Sequence, residues 1–174
     1  MEAFLKSSAC PFPEKAFQSG NRLDLKRVTV DQKGSAMPEM KIFNFTHSFS
    51  TKGEGEYFDL TDMVHRVVAK SGIRNGLMHA FAPHATGVLI LTENDPDLLE
   101  DIRSFIAKVV PRSGDYRHPS NAHSHLRSIL FAPDRTIPVV DGRASFGIWQ
   151  SLLFVETDIH SRQRSVIFQV IGEI

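Results

Sequence analysis

Apolar residues recur with two different periods along this chain, and these periods constrain its fold more than any other sequence feature. Phe43, Phe45 and Phe49 occupy alternate positions of the segment 41–50, which predicts a strand with one buried face. Further along, the spacing becomes that of a helix with one apolar side. The apolar positions there are Leu60, Met63, Val64, Val67 and Val68.

Two predicted helices have recognisable ends. Asp59 can cap the first helix, and Gly72 then ends it. The second helix has Asp95 as its N-cap and Pro96 as its first residue, and Pro111 ends it. A proline at the first helical position loses no hydrogen bond, because the N–H there has no partner within the helix.

Strand-like segments are interspersed with these helices. The predicted strands lie at 41–50, 76–81 and 87–92 and near 135–140, 146–156 and 164–171, with a short helix or turn at 121–131. Asp141-Gly142 predicts a hairpin between the strands near 135–140 and 146–156. Because there is no regular βαβ alternation, an α+β fold fits better than a doubly wound parallel sheet.

The first 40 residues differ from the rest. They hold three of the nine prolines and no sustained apolar period, which predicts an N-terminal arm or extension over 1–40. Residues 41–174 are then predicted to form a single domain, since 174 residues in total suit one hydrophobic core.

Charge and cysteine content exclude several classes of partner. The chain has 20 Lys and Arg residues against 20 Asp and Glu residues, so nothing in its net charge favours binding to nucleic acid or to an anionic membrane. The longest apolar runs have the length of strands, well short of the roughly 20 residues of a membrane helix. The single Cys10 cannot form an internal disulfide, which favours a cytoplasmic location.

Histidines cluster in one segment. His118, His123 and His125 fall within eight residues, which suits either a metal site or acid–base chemistry, although solvated loop histidines are the alternative. If the segment is helical, His123 and His125 point to different faces, so His118 and His125 are the better pair.

A second candidate position lies where a predicted strand meets a predicted helix. His84 precedes the strand 87–92, which leads to Glu93 and Asn94 just before the Asp95 cap. Strand ends followed by a helix N-terminus often carry functional residues. The alternative is that Glu93 and Asn94 only cap and charge the first helical turn.

Cations are unevenly distributed. All eight lysines lie at or before Lys108, and every later cation is an arginine. The guanidinium fork matches phosphate or carboxylate, so the part of the chain after Lys108 is a candidate for binding an anionic ligand. The alternatives are that these arginines form surface salt bridges, or that the absence of lysine is due to chance.

Several ordered motifs resemble those of the YjbQ family, described as secondary thiamine-phosphate synthases. The resemblance runs from about 41 to 173. It rests on His84-Ala85-Thr86, Glu93-Asn94-Asp95-Pro96, Tyr116-Arg117-His118, Asn121 to Arg127, Thr136 to Val139, Asp141-Gly142-Arg143, Gly147-Ile148-Trp149-Gln150, Glu156 and Ile171-Gly172-Glu173.

The resemblance implies an α+β fold with a mixed, largely antiparallel β-sheet and two to three helices. It also implies a homotrimer and a metal site built around His84, His118 and His125. A divalent ion, Zn²⁺ or Mg²⁺, is then the expected cofactor. Glu93 and Glu156 are the expected catalytic residues, and the expected substrate-binding residues are Asn94, Arg127, Arg143, Trp149 and Gln150. Ala85, Asp134 and Ile148 depart from the family pattern, which bears on substrate specificity more than on fold.

The function implied is that of a metal-dependent enzyme acting on a small phosphorylated metabolite. It would resemble thiamine-phosphate synthase, which joins a pyrimidine pyrophosphate to a thiazole phosphate and releases pyrophosphate. This synthase activity can be secondary to another activity of the protein. The alternatives are a metal-dependent hydrolase of a small phosphate or ester, and a non-catalytic trimeric module that binds a metal or a phosphorylated ligand.

Overall fold

The computed structural model describes residues 38–118 and 120–174, which form eight strands and three helices. In chain order these are β1 (Met40–Thr51), β2 (Tyr57–Asp59), α1 (Thr61–Ser71), β3 (Asn75–Phe81), β4 (Gly87–Thr92), α2 (Pro96–Val109), α3 (Ala122–Phe131), β5 (Asp134–Val140), β6 (Arg143–Ala144), β7 (Ser151–Glu156) and β8 (Arg162–Glu173).

The strands form two sheets. The larger has the order β1-β8-β3-β5-β6 and the smaller has the order β2-β7-β4. Neighbouring strands are antiparallel in both, with β1 and β8 paired along their whole lengths from Met40↔Glu173 to Thr51↔Arg162. The α+β class expected from the sequence is therefore confirmed.

The smaller sheet lies in the middle of the molecule. One of its faces, with Leu89 and Phe154, shares a core with α1 and the inner face of the larger sheet. Its other face, with Val88 and Leu153, packs against side chains of α2. Because both faces are covered, β7 is buried along nearly its whole length, and its sequence is a continuous apolar run rather than an alternating one.

The predicted ends of α1 and α2 are confirmed except for the N-cap of α1. Asp95 caps α2 by accepting hydrogen bonds from the N–H groups of Asp97 and Leu98, and Gly72 ends α1 with a positive φ of 72°. The N-cap of α1 is Leu60 rather than Asp59. The Asp59 carboxylate still accepts a hydrogen bond from Thr61 N–H at 2.8 Å, so it serves the first turn from one residue earlier.

The hairpin at Asp141-Gly142 closes on a different strand from the one predicted. Both residues have a positive φ, as a tight two-residue turn requires, but the returning strand is the two-residue β6. The predicted strand 146–156 starts only at Ser151, where the chain has crossed into the smaller sheet. The three-residue β2 was missed because it is too short to show a period.

The predicted arm at 1–40 lies outside the described residues except for its last three, and β1 already begins at Met40. Among residues 38–118 and 120–174, none of the helices has the length and apolar character needed to cross a membrane.

Candidate functional site

His118 and His125 lie next to each other on the surface. His118 follows α2 in the loop that Pro111 starts, and His125 lies on the first turns of α3. Their ring centroids are 5.2 Å apart and the rings are nearly perpendicular, at 86°. Two imidazoles bound to one zinc ion at a tetrahedral angle would have centroids about 5 Å apart, so this spacing fits a shared metal ion.

A cavity of about 360 Å³ opens beside the two histidines. Its lining includes Tyr116, Arg117 and Leu126. The Tyr116 hydroxyl donates a hydrogen bond to the Pro111 carbonyl at 2.7 Å, which ties the loop to the end of α2. Arg117 is exposed, so its guanidinium can reach a ligand in this cavity.

His84 occupies a different environment. Its Nε2 lies 2.9 Å from Ser165 N and 3.0 Å from Ser165 O on β8, so the Ser165 N–H can donate to it. Burial, and then the charge of Arg164, lower the pKa of His84, which favours the neutral ring. Within the described part of one chain, no three His, Cys, Asp or Glu side chains lie close enough to hold a metal together. The three-histidine site thus stays a prediction that a single chain does not complete.

Glu156 is locked into a buried ion pair. It is 1% exposed, and Arg164 donates to both of its carboxylate oxygens, at 2.6 and 2.7 Å. Thr51 Oγ1 and the backbone N–H of Asp158 donate to the same carboxylate at 2.7 and 2.8 Å. With four donors already bound to it, this carboxylate has little capacity left for a substrate.

Asp158 extends this network toward the surface. Its carboxylate accepts hydrogen bonds from Thr86 Oγ1 at 3.3 Å and from His160 N–H at 3.1 Å, and Arg162 lies 3.0 Å away. Burial would raise the pKa of Asp158, but the His160 and Arg162 donors outweigh burial and lower it. The group therefore stays ionised and structurally engaged.

The other predicted site residues do not converge on the histidine pair. Glu93 is exposed. Asn94 Nδ2 donates to Asp59 at 2.9 Å, next to the start of α1, and the N-cap of α2 is Asp95 rather than either residue. Arg143 is exposed on β6. Trp149 is 73% exposed beside Gln150, whose side chain accepts from Gly147 N–H within the same turn.

Arg127 is also placed differently from a free anion-binding residue. It is 3% exposed, it donates to the carbonyl of Val110 at 3.0 and 2.9 Å, and it forms an ion pair with Glu54. Glu54 also lies 3.6 Å from His123 Nε2. Arg127 thus joins α3 to the end of α2 and to the loop after β1.

Two of these residues, Glu54 and Arg164, escaped the sequence interpretation. Arg164 could have been found, because it shares the inward alternation of β8 with Val166 and Phe168, and a charge on that face needs a buried partner. Glu54 lies between Gly53 and Gly55 in a turn and carries no comparable pattern.

The comparison with known proteins identifies the family. The family model described as "UPF0047 protein YjbQ-like" matches residues 45–173. This chain belongs to the YjbQ family. A UPF0047 protein of Methanothermobacter thermautotrophicus is 36% identical over 137 residues, covering 77% of this chain and 95% of that protein. UPF0047 protein YjbQ of Escherichia coli O157:H7 is 29% identical over 133 residues, covering 74% of this chain and 96% of that protein.

Two solved structures share the fold. A YbjQ-like protein of unknown function from Sulfolobus solfataricus P2 has a TM-score of 0.74 and 32% identity, covering 78% of this chain and 100% of that one. A hypothetical protein from Aeropyrum pernix K1 has a TM-score of 0.67 and 38% identity, covering 74% of this chain and 99% of that one.

These findings correct the function expected from the resemblance. The relatives are named only as UPF0047 proteins, and the Sulfolobus structure is described as a protein of unknown function. Neither thiamine-phosphate synthesis nor metal-dependent hydrolysis is what these relatives are named for. The expected metal-dependent activity is therefore wrong as an assignment, and the family membership gives the fold without a reaction.

Proposed function

We propose that His118 and His125 bind a divalent metal ion at the surface cavity between the α2–α3 loop and α3. The observation that carries the proposal is the perpendicular pair of imidazoles with centroids 5.2 Å apart. Of the two ions expected from the resemblance, zinc suits this donor set and magnesium does not, because imidazole nitrogen binds zinc well whereas magnesium prefers oxygen.

Two histidines are too few for a tight zinc site, since structural and catalytic zinc ions usually have three or four protein ligands. We propose that a neighbouring copy supplies the missing ligand in a homotrimer, with His84 as the candidate. The apolar face that α3 exposes beside His125 supports such contact between copies. It consists of Leu126, Ile129 and Leu130.

A small phosphorylated metabolite is the ligand we propose for the open side of the ion. Arg117 lines the same cavity as the two histidines, and its guanidinium suits a phosphate group. No reaction is assigned to the site. We also propose the cytoplasmic location that the single Cys10 favours.

Cobalt binding tests the metal site without any assay of activity. Purified protein is stripped with a chelator and titrated with Co²⁺, whose visible absorption is strong in tetrahedral sites and weak in octahedral ones. We expect His118→Ala and His125→Ala each to abolish the strong band. His79→Ala is the matched control, because His79 lies on the larger sheet and contacts Thr136 at 3.0 Å. An unchanged band in both site variants would overturn the proposal.

The assembly is tested by the mass in solution. We expect a trimer by light scattering, and Ile129→Glu should shift the mass toward the monomer and weaken cobalt binding, since it places a charge on the exposed face of α3. A monomeric wild-type protein would contradict the shared site. A cobalt band that is unchanged in both the His84→Ala and the Ile129→Glu variants would contradict it as well.

A further inference from the structure

We propose that a second cavity, between α2 and the smaller sheet, binds a small carboxylate with an apolar body. The cavity has a volume of about 230 Å³. It shares no lining residue with the cavity at His118 and His125. The proposal therefore goes beyond the metal site and does not depend on it.

One part of the lining is apolar. Ile106 and Ala107 come from α2, and Val155 comes from β7. Tyr57 adds its aromatic ring, and its hydroxyl already donates to the Leu99 carbonyl at 3.1 Å. A ligand that fills this part must present hydrocarbon, because few polar groups remain there to receive a polar one.

The charged part of the lining has one cation in excess. Three arginines and two glutamates line the cavity, and most of them are neutralised. Arg164 neutralises Glu156, Glu54 pairs with Arg127, and Glu100 pairs with Arg103. Arg112 is exposed and has no ion-pair partner within residues 38–118 and 120–174.

Arg127 makes the charged end rigid. Its Nε and Nη2 both donate to the Val110 carbonyl, which holds the guanidinium plane while Glu54 takes Nη1. Arg127 is therefore already engaged, and the exposed Arg112 is the lining cation that remains available to a bound anion.

A monoanion fits this arrangement better than a phosphate. One uncompensated guanidinium balances one negative charge, whereas a phosphate dianion would leave charge unbalanced and the apolar part unfilled. At roughly 30 Å³ per water molecule, the cavity holds about eight waters, which limits the ligand to a small metabolite.

Calorimetric titration of the intact protein at low salt tests the proposal with benzoate as the probe. Acetate carries the charge without the ring, benzyl alcohol carries the ring without the charge, and inorganic phosphate carries a different anion. We expect saturable binding of benzoate and weaker binding of the other three. No saturable benzoate binding, or phosphate binding as tight as benzoate, would overturn the proposal.

Three variants locate the binding. We expect Arg112→Ala to weaken benzoate binding by about tenfold or more, because a hydrogen bond to a charged group contributes at least about 1.5 kcal/mol. Ala107→Trp should block the cavity without changing its charge, and its exposed helical position lets the chain fold. Arg66→Ala is the matched control, since Arg66 is an exposed arginine on α1 that lines neither cavity. Benzoate affinity that is unchanged in Arg112→Ala and in Ala107→Trp would overturn the assignment.

Discussion

The Glu156–Arg164 network and the His118–His125 pair differ in how completely they are satisfied within the protein. Arg164 and Glu156 lie in the interior, where Nε and Nη2 of Arg164 and both carboxylate oxygens of Glu156 meet partners. The two histidines instead face each other and an open cavity. Both regions carry residues that the family motifs single out.

This difference separates residues that hold the fold from residues that are available to a ligand. A buried charge without a partner costs several kcal/mol, so Glu156 and Arg164 must remain paired whatever the protein does. An exposed imidazole keeps its water contacts and can exchange them for a metal ion at little cost. Motif membership alone does not distinguish the two cases, whereas burial and hydrogen-bond partners do.

The largest effect is expected from breaking the buried pair. Arg164→Met leaves the Glu156 carboxylate buried without its cation, and we expect a loss of about 3–5 kcal/mol in the free energy of unfolding. Denaturant unfolding measures this loss. The double variant Arg164→Met with Glu156→Leu should recover most of it, because no unpaired charge remains. A single variant as stable as the wild type would show that the pair does not hold the fold.

The pH dependence of stability tests Asp158, which lies at the edge of the Glu156–Arg164 network. The pKa of Asp158 is lowered from its usual 3.8, so the ionised group stabilises the fold above that value and the benefit is lost as pH falls through the lower folded-state pKa. Urea unfolding from pH 6 down to pH 3 should therefore show a steeper loss of stability in the wild type than in Asp158→Asn. Equal slopes would mean that Asp158 has no preferred charged state in the fold.

A smaller effect is expected at the outer end of the network. The side chain of Arg162 is 44% exposed where it pairs with Asp158, so solvent screens the ion pair. We expect Arg162→Ala to lower the free energy of unfolding by at most about 1 kcal/mol. A loss as large as that of Arg164→Met would remove the distinction between buried and exposed members.

The smallest effect on folding is expected at the histidine pair. In chelator-treated protein, His118→Ala should change the free energy of unfolding by less than about 0.5 kcal/mol, because the truncated side chain is exposed to solvent. Added Zn²⁺ should then stabilise the wild type and leave the variant unchanged, by preferential binding to the folded state. A large loss without metal would make His118 a structural residue.

The sequence predicted elements with strong local patterns. Asp95, Pro96 and the apolar stripe specify α2 locally, and the alternating phenylalanines specify β1. The division into two sheets could not be predicted, because it depends on where the chain leaves the Asp141-Gly142 hairpin, and the turn residues do not encode the partner strand.

For the candidate site, the sequence predicted some side-chain positions but not their hydrogen-bond partners. Helical spacing separates His125 from His123, and the structure places His123 in the interior and His125 beside His118. The sequence could not reveal that Glu156 is saturated by Arg164, nor that Arg127 is bound by Val110 and Glu54, because these partners come from distant segments.

X-ray absorption at the zinc edge tests the central claim most directly, since it reports which atoms surround a bound ion. For zinc-loaded protein we predict at least two imidazole ligands at about 2.0 Å. Their scattering should be lost in the double variant His118→Ala with His125→Ala and kept in His79→Ala. Zinc that is surrounded only by oxygen in the wild type, or an unchanged spectrum in the double variant, would contradict the account.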